Sequence, residues 1–114
     1  MDEAVGQFLD GLEKDRGFAG NTISAYRNDL VQFTTYVKNP PTEDQLTPIG
    51  NWNELTEDHL LRYTTHLRAR EYAASTIARK TAALKSFSAW LMERGVTRSD
   101  TAERLTSPRV EKYT

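Results

Sequence analysis

The stretch from Ala74 to Gly95, ASTIARKTAALKSFSAWLMERG, constrains the fold of this chain more than any other segment. No proline interrupts it, and residues that favour helices fill most of it. Ala74 or Ser75 can cap its start, and Gly95 lies where a left-handed residue commonly ends a helix. The pattern therefore predicts one long helix against which the rest of the chain packs.

The two faces of this predicted helix differ in character. One face is mostly large and apolar, with Ile77, Leu84, Phe87, Ser88 and Leu91. The other is small and hydroxylated around one arginine, with Ser75, Thr76, Arg79, Ala82, Ala83 and Ser86. Small side chains allow close approach, and the nearby cations Arg79, Lys80 and Lys85 favour an anionic body such as the groove of a duplex. The alternative is that the alanines and serines pack against another helix of the same domain.

The size and composition of the chain exclude several classes of protein. Its 114 residues make one domain with a modest core. It contains no cysteine, which excludes disulfides and thiolate metal sites and is consistent with a reducing compartment. It shows no signal peptide and no apolar run long enough to span a membrane, so we expect a soluble cytoplasmic protein.

Charge is distributed unevenly along the chain. The net charge of −1 alone argues against a nucleic-acid binder. Residues 1–58, however, carry 4 basic and 11 acidic side chains, a net charge of −7, whereas residues 59–114 carry 11 basic and 5 acidic side chains, a net charge of +6. This asymmetry indicates one basic side that faces a polyanion and one acidic side that faces elsewhere. Ion pairing between the two halves is the alternative.

Hydrophobic periodicity predicts three further main helices. The buried face of the first contains Val5, Phe8, Leu9 and Leu12. This helix ends near Gly17, the second runs from an N-cap at Asn21 to Lys38, and the third follows the N-cap Thr56. Between the second and third, residues 39–51 hold three prolines and a glycine without any period, which predicts a mobile surface loop.

The predicted fold class is all-α. Asp100 and Glu103 form a capping-box-like start for a short fifth helix over 101–105, and residues 109–114 form an extended tail. Phe18, after the first helix, is expected to fold back onto the core. No strand pattern or internal repeat is present, so we expect a bundle of four main helices and a short C-terminal one.

The sequence contains little that indicates catalysis. His59 and His66 lie two turns apart on the third helix, but no third ligand completes a metal site, and both are predicted to be surface residues. Neither a glycine-rich dinucleotide motif nor a P-loop is present. The carboxylates lie in first helical turns and loops, where the helix dipole explains them. We therefore predict no catalytic residue, no cofactor and no metal.

Four segments, taken in order, carry a resemblance to a known family. They are FLDGLEKDRGFAGNTISAYRNDLVQF, WNELTEDHLLRYTTHL, ASTIARKTAALKSFSAWLMERG and DTAERLTSPRV, and they span about Phe8 to Arg109. Each segment alone is a weak indication of a family, whereas four segments in this order and spacing are a specific one. The chain resembles the N-terminal core-binding domain of tyrosine recombinases of the Xer and phage-integrase type. The resemblance implies a SAM-like bundle that clamps one face of a recombination site.

In that family the second and fourth helices face DNA, so the resemblance implies which residues of this chain lie near it. They are Asn21, Thr22, Tyr26, Arg27, Ser75, Thr76, Arg79, Lys80, Ala83 and Lys85, with Arg109 beside the crossing to the next domain. The cations Arg27, Arg79, Lys80 and Lys85 are expected to contact phosphates. Tyr26 is the exception, because helical periodicity turns it inward and favours packing.

The resemblance also implies a domain boundary. Residues 1–106 correspond to the core-binding domain, and residues 107–114 to the start of a linker to an absent C-terminal catalytic domain. This chain is therefore expected to bind DNA without cutting it, whereas the intact recombinase cleaves and rejoins strands through a tyrosine. The run from His59 to Arg62 matches the spelling of the family's catalytic His-x-x-Arg, but it lies in the wrong domain and is interpreted as coincidence.

The implied partners are double-stranded DNA and other recombinase subunits on the same DNA, with no membrane. In isolation the chain is expected to be a monomer, and its expected location is the nucleoid of a prokaryotic cell. One alternative is a protein-interaction bundle that docks a partner helix on the same faces. Another is a stand-alone protein that occupies recombination sites without cutting them.

Overall fold

The computed structural model describes residues 1–98 and Thr101. Four α-helices follow one another in this part of the chain: α1 over Asp2–Arg16, α2 over Gly20–Lys38, α3 over Glu57–Ala69 and α4 over Ala74–Glu93. Two short 3-10 turns, Thr42–Asp44 and Trp52–Glu54, lie between α2 and α3. The described residues form no strand, and the fold is the predicted all-α, SAM-like bundle.

Two glycines end helices as the sequence predicts. Gly17 adopts φ 67° after α1, and Gly95 adopts φ 76° just after α4. Because glycine has no Cβ, it takes this left-handed backbone without strain and lets the chain turn back. The N–H of Val96 then donates to the carbonyl of Leu91 at 2.9 Å, which closes the end of α4.

The start of α2 differs from the predicted one. The helix begins at Gly20 with Ala19 as its N-cap, so Asn21 lies inside the first turn. Ala19 has no side-chain acceptor, but its carbonyl accepts the N–H of Ile23 at 3.0 Å. A backbone hydrogen bond thus starts this helix, and no side-chain cap is present from which the sequence could have located the start.

Aromatic rings from all four helices meet at the centre of the bundle. Phe33 of α2 packs edge-on against Tyr63 of α3, with ring centroids 5.0 Å apart. Phe8 of α1 packs against Phe87 of α4 at 5.4 Å. Trp52 joins the two pairs, since its ring lies 6.0 Å from Phe33 and 5.0 Å from Phe87. The connection between α2 and α3 therefore contributes to the core.

Residues 39–51 lie mostly at the surface, as predicted, but two hydrogen bonds and one buried side chain tie the segment to α2, and its mobility stays a prediction. The hydroxyl of Tyr36 donates to Asp44 Oδ2 at 2.5 Å. The N–H of Ile49 donates to the carbonyl of Val37 at 3.0 Å, and the Ile49 side chain is buried. These contacts fasten the segment to the C-terminal half of α2 at two points.

His59 is buried, which corrects its predicted surface position. Its Nδ1 accepts the backbone N–H of Thr56 at 3.2 Å, so the proton of the neutral ring is on Nε2, which donates to the carbonyl of Thr47 at 3.0 Å. His59 thus completes a capping box at the predicted N-cap of α3. His66 is half-buried, with its ring 5.1 Å from that of Tyr36.

Several C-terminal predictions lie outside the described residues. They are the short helix over 101–105, its capping pair Asp100 and Glu103, and the linker and tail over 107–114. Thr101 alone among these positions is described, and it is buried in a turn.

Candidate nucleic-acid interface

A buried carboxylate joins α2 to the first half of α4. Asp29 is 1 % exposed, and its two oxygens accept hydrogen bonds from Arg79 Nε and Nη2 at 3.0 and 2.9 Å. Lys80 Nζ donates to the same carboxylate at 3.0 Å and to Gln32 Oε1 at 2.6 Å. The amide of Gln32 donates to Tyr72 Oη at 3.1 Å. We call Asp29, Gln32, Tyr72, Arg79 and Lys80 the Asp29 cluster.

Helical geometry brings these side chains together. Asp29 and Gln32 are three residues apart on α2, so both face α4. Arg79 and Lys80 are neighbours on α4 and point about 100° apart, which lets them reach Asp29 from two directions. The side chain of Arg79 is 45 % exposed and that of Lys80 is 9 % exposed. Arg79 therefore approaches the carboxylate from the solvent side and Lys80 from the core side.

The guanidinium of Arg79 has one occupied edge and one open edge. Nε and Nη2 bind Asp29 side by side, which places Nη1 on the edge away from the carboxylate. The hydrogen bond to Asp29 raises the pKa of Arg79 above its already high usual value, so the side chain is positively charged in the physiological range. The site thus presents a fixed, oriented cation to solvent.

Two of the predicted DNA-facing residues lie in the interior. Lys80 is 7 % exposed, and Ala83, one turn further along α4, is fully buried. The prediction that these residues lie on the exposed face is wrong, because pairing with Asp29 turns this side of α4 towards α2. For Ala83, the alternative of packing within the domain is correct.

The small-residue face of α4 is present, but its centre is Ala82 rather than Ala83. The exposed or partly exposed residues along it are Ser75, Ala78, Arg79, Ala82, Lys85, Ser86 and Ala89. Thr76 is partly buried at its edge. Arg79 and Lys85 are the cations of this stripe, and its other side chains are short. A bulky anion can therefore come close to the helix axis at Ala82.

The predicted residues of α2 lie on two different sides of that helix. Asn21 is exposed and Thr22 is partly buried, and both lie within about 80° of Asp29 around the helix. Arg27 is exposed but is turned by about 200° from Asp29, because it lies two residues earlier. The structure therefore does not bring Arg27 and Arg79 to a common surface, although the sequence predicts that both contact phosphates.

Three further predicted positions remain: two aromatic residues and Arg109. Tyr26 is partly buried, with its ring 6.0 Å from that of Phe18, so the prediction that it packs is confirmed. Phe18 packs against the core, as expected. Arg109 lies outside the described residues.

Sequence reasoning missed three members of the Asp29 cluster: Asp29, Gln32 and Tyr72. A signal for Asp29 was present, since it is an acidic residue directly before the core residue Leu30. A buried carboxylate needs a cationic partner. The adjacent cations Arg79 and Lys80, at the edge of the apolar face of α4, were the matching signal.

Membrane and metal sites are not found in the described part of the chain. None of its helices is sufficiently long and apolar to cross a bilayer. Among residues 1–98 and Thr101, no group of three metal-ligating side chains lies close enough to hold a metal ion.

Comparison with known proteins identifies the class of this bundle. The sequence model of the family described as "Phage integrase, N-terminal SAM-like domain" matches residues 5–95. The chain belongs to this family.

Curated relatives extend the match over almost the whole chain. The tyrosine recombinase XerC of Herpetosiphon aurantiacus is 39 % identical over 113 residues, which cover 99 % of this chain and 35 % of that protein. XerC of Roseiflexus castenholzii is also 39 % identical, over 98 % of this chain and 33 % of the relative. XerD of Halalkalibacterium halodurans is 32 % identical over 93 % of this chain and 33 % of the relative. The chain thus spans about a third of the length of these relatives, and no solved structure matches it significantly.

Proposed function

We propose that this chain is the DNA-binding domain of a site-specific tyrosine recombinase and that the exposed stripe of α4, with the adjoining side of α2, contacts duplex DNA. The relatives described above are named tyrosine recombinases, which supports the class of function. The observation that carries the proposal is Arg79, a half-exposed cation that a buried carboxylate holds in one orientation. Around it the helix face bears short side chains.

The proposed mechanism is positional. Arg79 and Lys85 neutralise backbone phosphates and release condensed counterions, which provides affinity and fixes the register of the helix on the duplex. The hydroxyls of Ser75 and Ser86 lie on the same stripe and donate to phosphate oxygens. Ala82 has no long side chain to hold the duplex away. Among the residues predicted from sequence, Asn21, Thr22 and Thr76 border this surface.

The proposal differs from the sequence-based prediction in three residues. Lys80 and Ala83 are interior and make no direct contact with DNA. Arg27 lies on the opposite side of α2, so it is not part of this surface. Arg109 stays a prediction from the resemblance.

We extend the proposal to the domain organisation. Residues 1–106 form the binding domain, and residues 107–114 begin the linker to a domain that supplies the tyrosine nucleophile. The chain itself then binds DNA without cutting it and is monomeric when free. In the recombinase, further subunits on the same DNA are its partners, in the prokaryotic cytoplasm at the nucleoid.

Salt-dependent binding tests this function. Fluorescence anisotropy with a labelled random-sequence duplex of about 30 base pairs gives the slope of log K against log salt. Because one phosphate contact is lost, Arg79→Ala is expected to reduce the magnitude of this slope by about 0.9. Arg62→Ala is the matched control, since Arg62 is an exposed arginine of α3 that pairs with Asp58 at 3.6 Å. It should leave the slope unchanged.

Two outcomes contradict the proposal. One is an Arg79→Ala variant with the slope of the unaltered protein. The other is an absence of salt-dependent DNA binding together with association to a partner helix that persists at high salt, which is what the protein-interaction bundle predicts.

A further inference from the structure

Lys80 is a cation that the proposed interface does not use, although it is the neighbour of Arg79. Its burial keeps its ammonium group away from any phosphate. We propose that Lys80 is a positioning residue for DNA binding, because it neutralises Asp29 from the core side and thereby leaves the positive charge of Arg79 uncompensated. This inference rests on the proposed function and states how that site is charged.

The surroundings of Lys80 are those of an ammonium ion. Such a group has three N–H donors and no acceptor. Two donors are used by Asp29 Oδ1 at 3.0 Å and Gln32 Oε1 at 2.6 Å. Nζ also lies over the ring of Tyr72, whose centroid is 5.3 Å away. Two hydrogen bonds and an aromatic face thus surround this buried cation and offset the cost of its burial.

Gln32 and Tyr72 complete this arrangement. The amide of Gln32 donates to Tyr72 Oη at 3.1 Å, so its oxygen is directed at Lys80 and its nitrogen at the phenol. Tyr72 therefore contacts Lys80 through its ring and Gln32 through its hydroxyl. The two neutral side chains fix Lys80 without changing the charge of the cluster.

The charge of the Asp29 cluster explains why Lys80 matters at the surface. Asp29 and Arg79 alone form a neutral pair, whose field falls off steeply with distance. Lys80 adds a second positive charge, so the cluster carries a net charge of +1. Since the Arg79 side chain is 45 % exposed and that of Lys80 is 9 % exposed, the surplus is available to an anion at Arg79. A buried residue thus determines the attraction of an exposed one for phosphate.

Charge-compensating variants test this inference in the same salt titration. Lys80→Met removes the buried charge and keeps an unbranched apolar side chain in its place. We expect it to weaken binding on the order of fivefold at low salt and to move the salt slope towards that of Arg79→Ala. Combining Asp29→Asn with Lys80→Met removes one charge of each sign, leaves +1 on Arg79 with one amide oxygen to accept its hydrogen bond, and is expected to recover part of the slope that Lys80→Met loses.

If the role of Lys80 is purely structural, the double variant is expected to recover no DNA binding. The double variant breaks more hydrogen bonds than Lys80→Met does, so it would bind no better than the single variant. That result overturns the inference, as does wild-type binding by Lys80→Met. If Arg79→Ala itself leaves the slope unchanged, the proposed function fails instead, so the two failures are distinguishable. Circular dichroism confirms that each variant is folded, and Lys80→Gln takes the place of a methionine variant that does not fold.

Discussion

Asp29 and Arg79 are 50 positions apart in sequence, yet the carboxylate of one accepts two parallel hydrogen bonds from the guanidinium of the other, at 3.0 and 2.9 Å. A bidentate pair fixes both the separation and the plane of the two groups. It fixes the middle of α2 against the first half of α4 and at the same time orients the cation that we propose contacts DNA. Packing and the proposed DNA binding of this domain therefore depend on the same side chain.

Removing that carboxylate should destabilise the fold strongly. Asp29→Ala leaves Lys80 buried without a counterion, and we expect a loss of about 3–5 kcal/mol in the free energy of unfolding. Asp58→Ala is the matched control, because Asp58 and Arg62 form an ion pair whose side chains are 61 % and 49 % exposed. Its effect should stay below about 1 kcal/mol, because it loses only an exposed ion pair and a favourable position in the first turn of α3. Urea unfolding measures both, and equal effects would contradict the structural role of Asp29.

The hydroxyls of two buried tyrosines should contribute with opposite signs. Tyr36 donates to Asp44 at 2.5 Å, whereas the buried hydroxyl of Tyr63 has no hydrogen-bond partner among residues 1–98 and Thr101. We expect Tyr36→Phe to lower the free energy of unfolding by about 1–2 kcal/mol. Tyr63→Phe should leave it unchanged or raise it by about 1 kcal/mol, since it removes an unsatisfied polar group. Urea unfolding at neutral pH checks both, and a larger loss for Tyr63→Phe would contradict this assignment.

Stability should fall at alkaline pH because of the same tyrosines. Burial raises the pKa of Tyr63, and burial with the hydrogen bond to Asp44 raises that of Tyr36. The unfolded chain releases these protons near pH 10, whereas the folded protein holds them, so stability is complete below about pH 10 and declines above it. Tyr63 accounts for a loss of at most about 1.4 kcal/mol per pH unit. Urea unfolding at several pH values should show a shallower decline in Tyr63→Phe, and an identical decline would be contrary evidence.

Local signals in the sequence predict much of the fold. The N-cap Thr56, the two helix-ending glycines and the apolar periods place the helices to within a few residues. The exception is the start of α2, where Ala19 provides no side-chain signal. The contacts of residues 39–51 to α2 are not predicted from the sequence, because they depend on tertiary structure rather than on local composition.

The candidate site was harder to predict because its position depends on contacts between helices. A helical wheel shows which residues of α4 share a side, but the pairing with Asp29 decides how far that side is buried. As a result, the exposed side of α4 is centred on Ala82 rather than Ala83, and Lys80 is buried. Arg79 can be identified from the sequence because small and hydroxylated residues surround it, and in the structure these residues do lie around it on the exposed side of α4.

NMR mapping tests most directly the claim that the stripe of α4 around Arg79 and the adjoining side of α2 bind DNA. Backbone amide spectra would be recorded while a random-sequence duplex of about 30 base pairs is added at low salt. The account predicts that the largest shifts occur at Ser75, Arg79 and Ala82, with smaller ones at Asn21. Shifts concentrated instead at Gly11 of α1 and Leu61 of α3, with the α4 stripe unchanged, would contradict it.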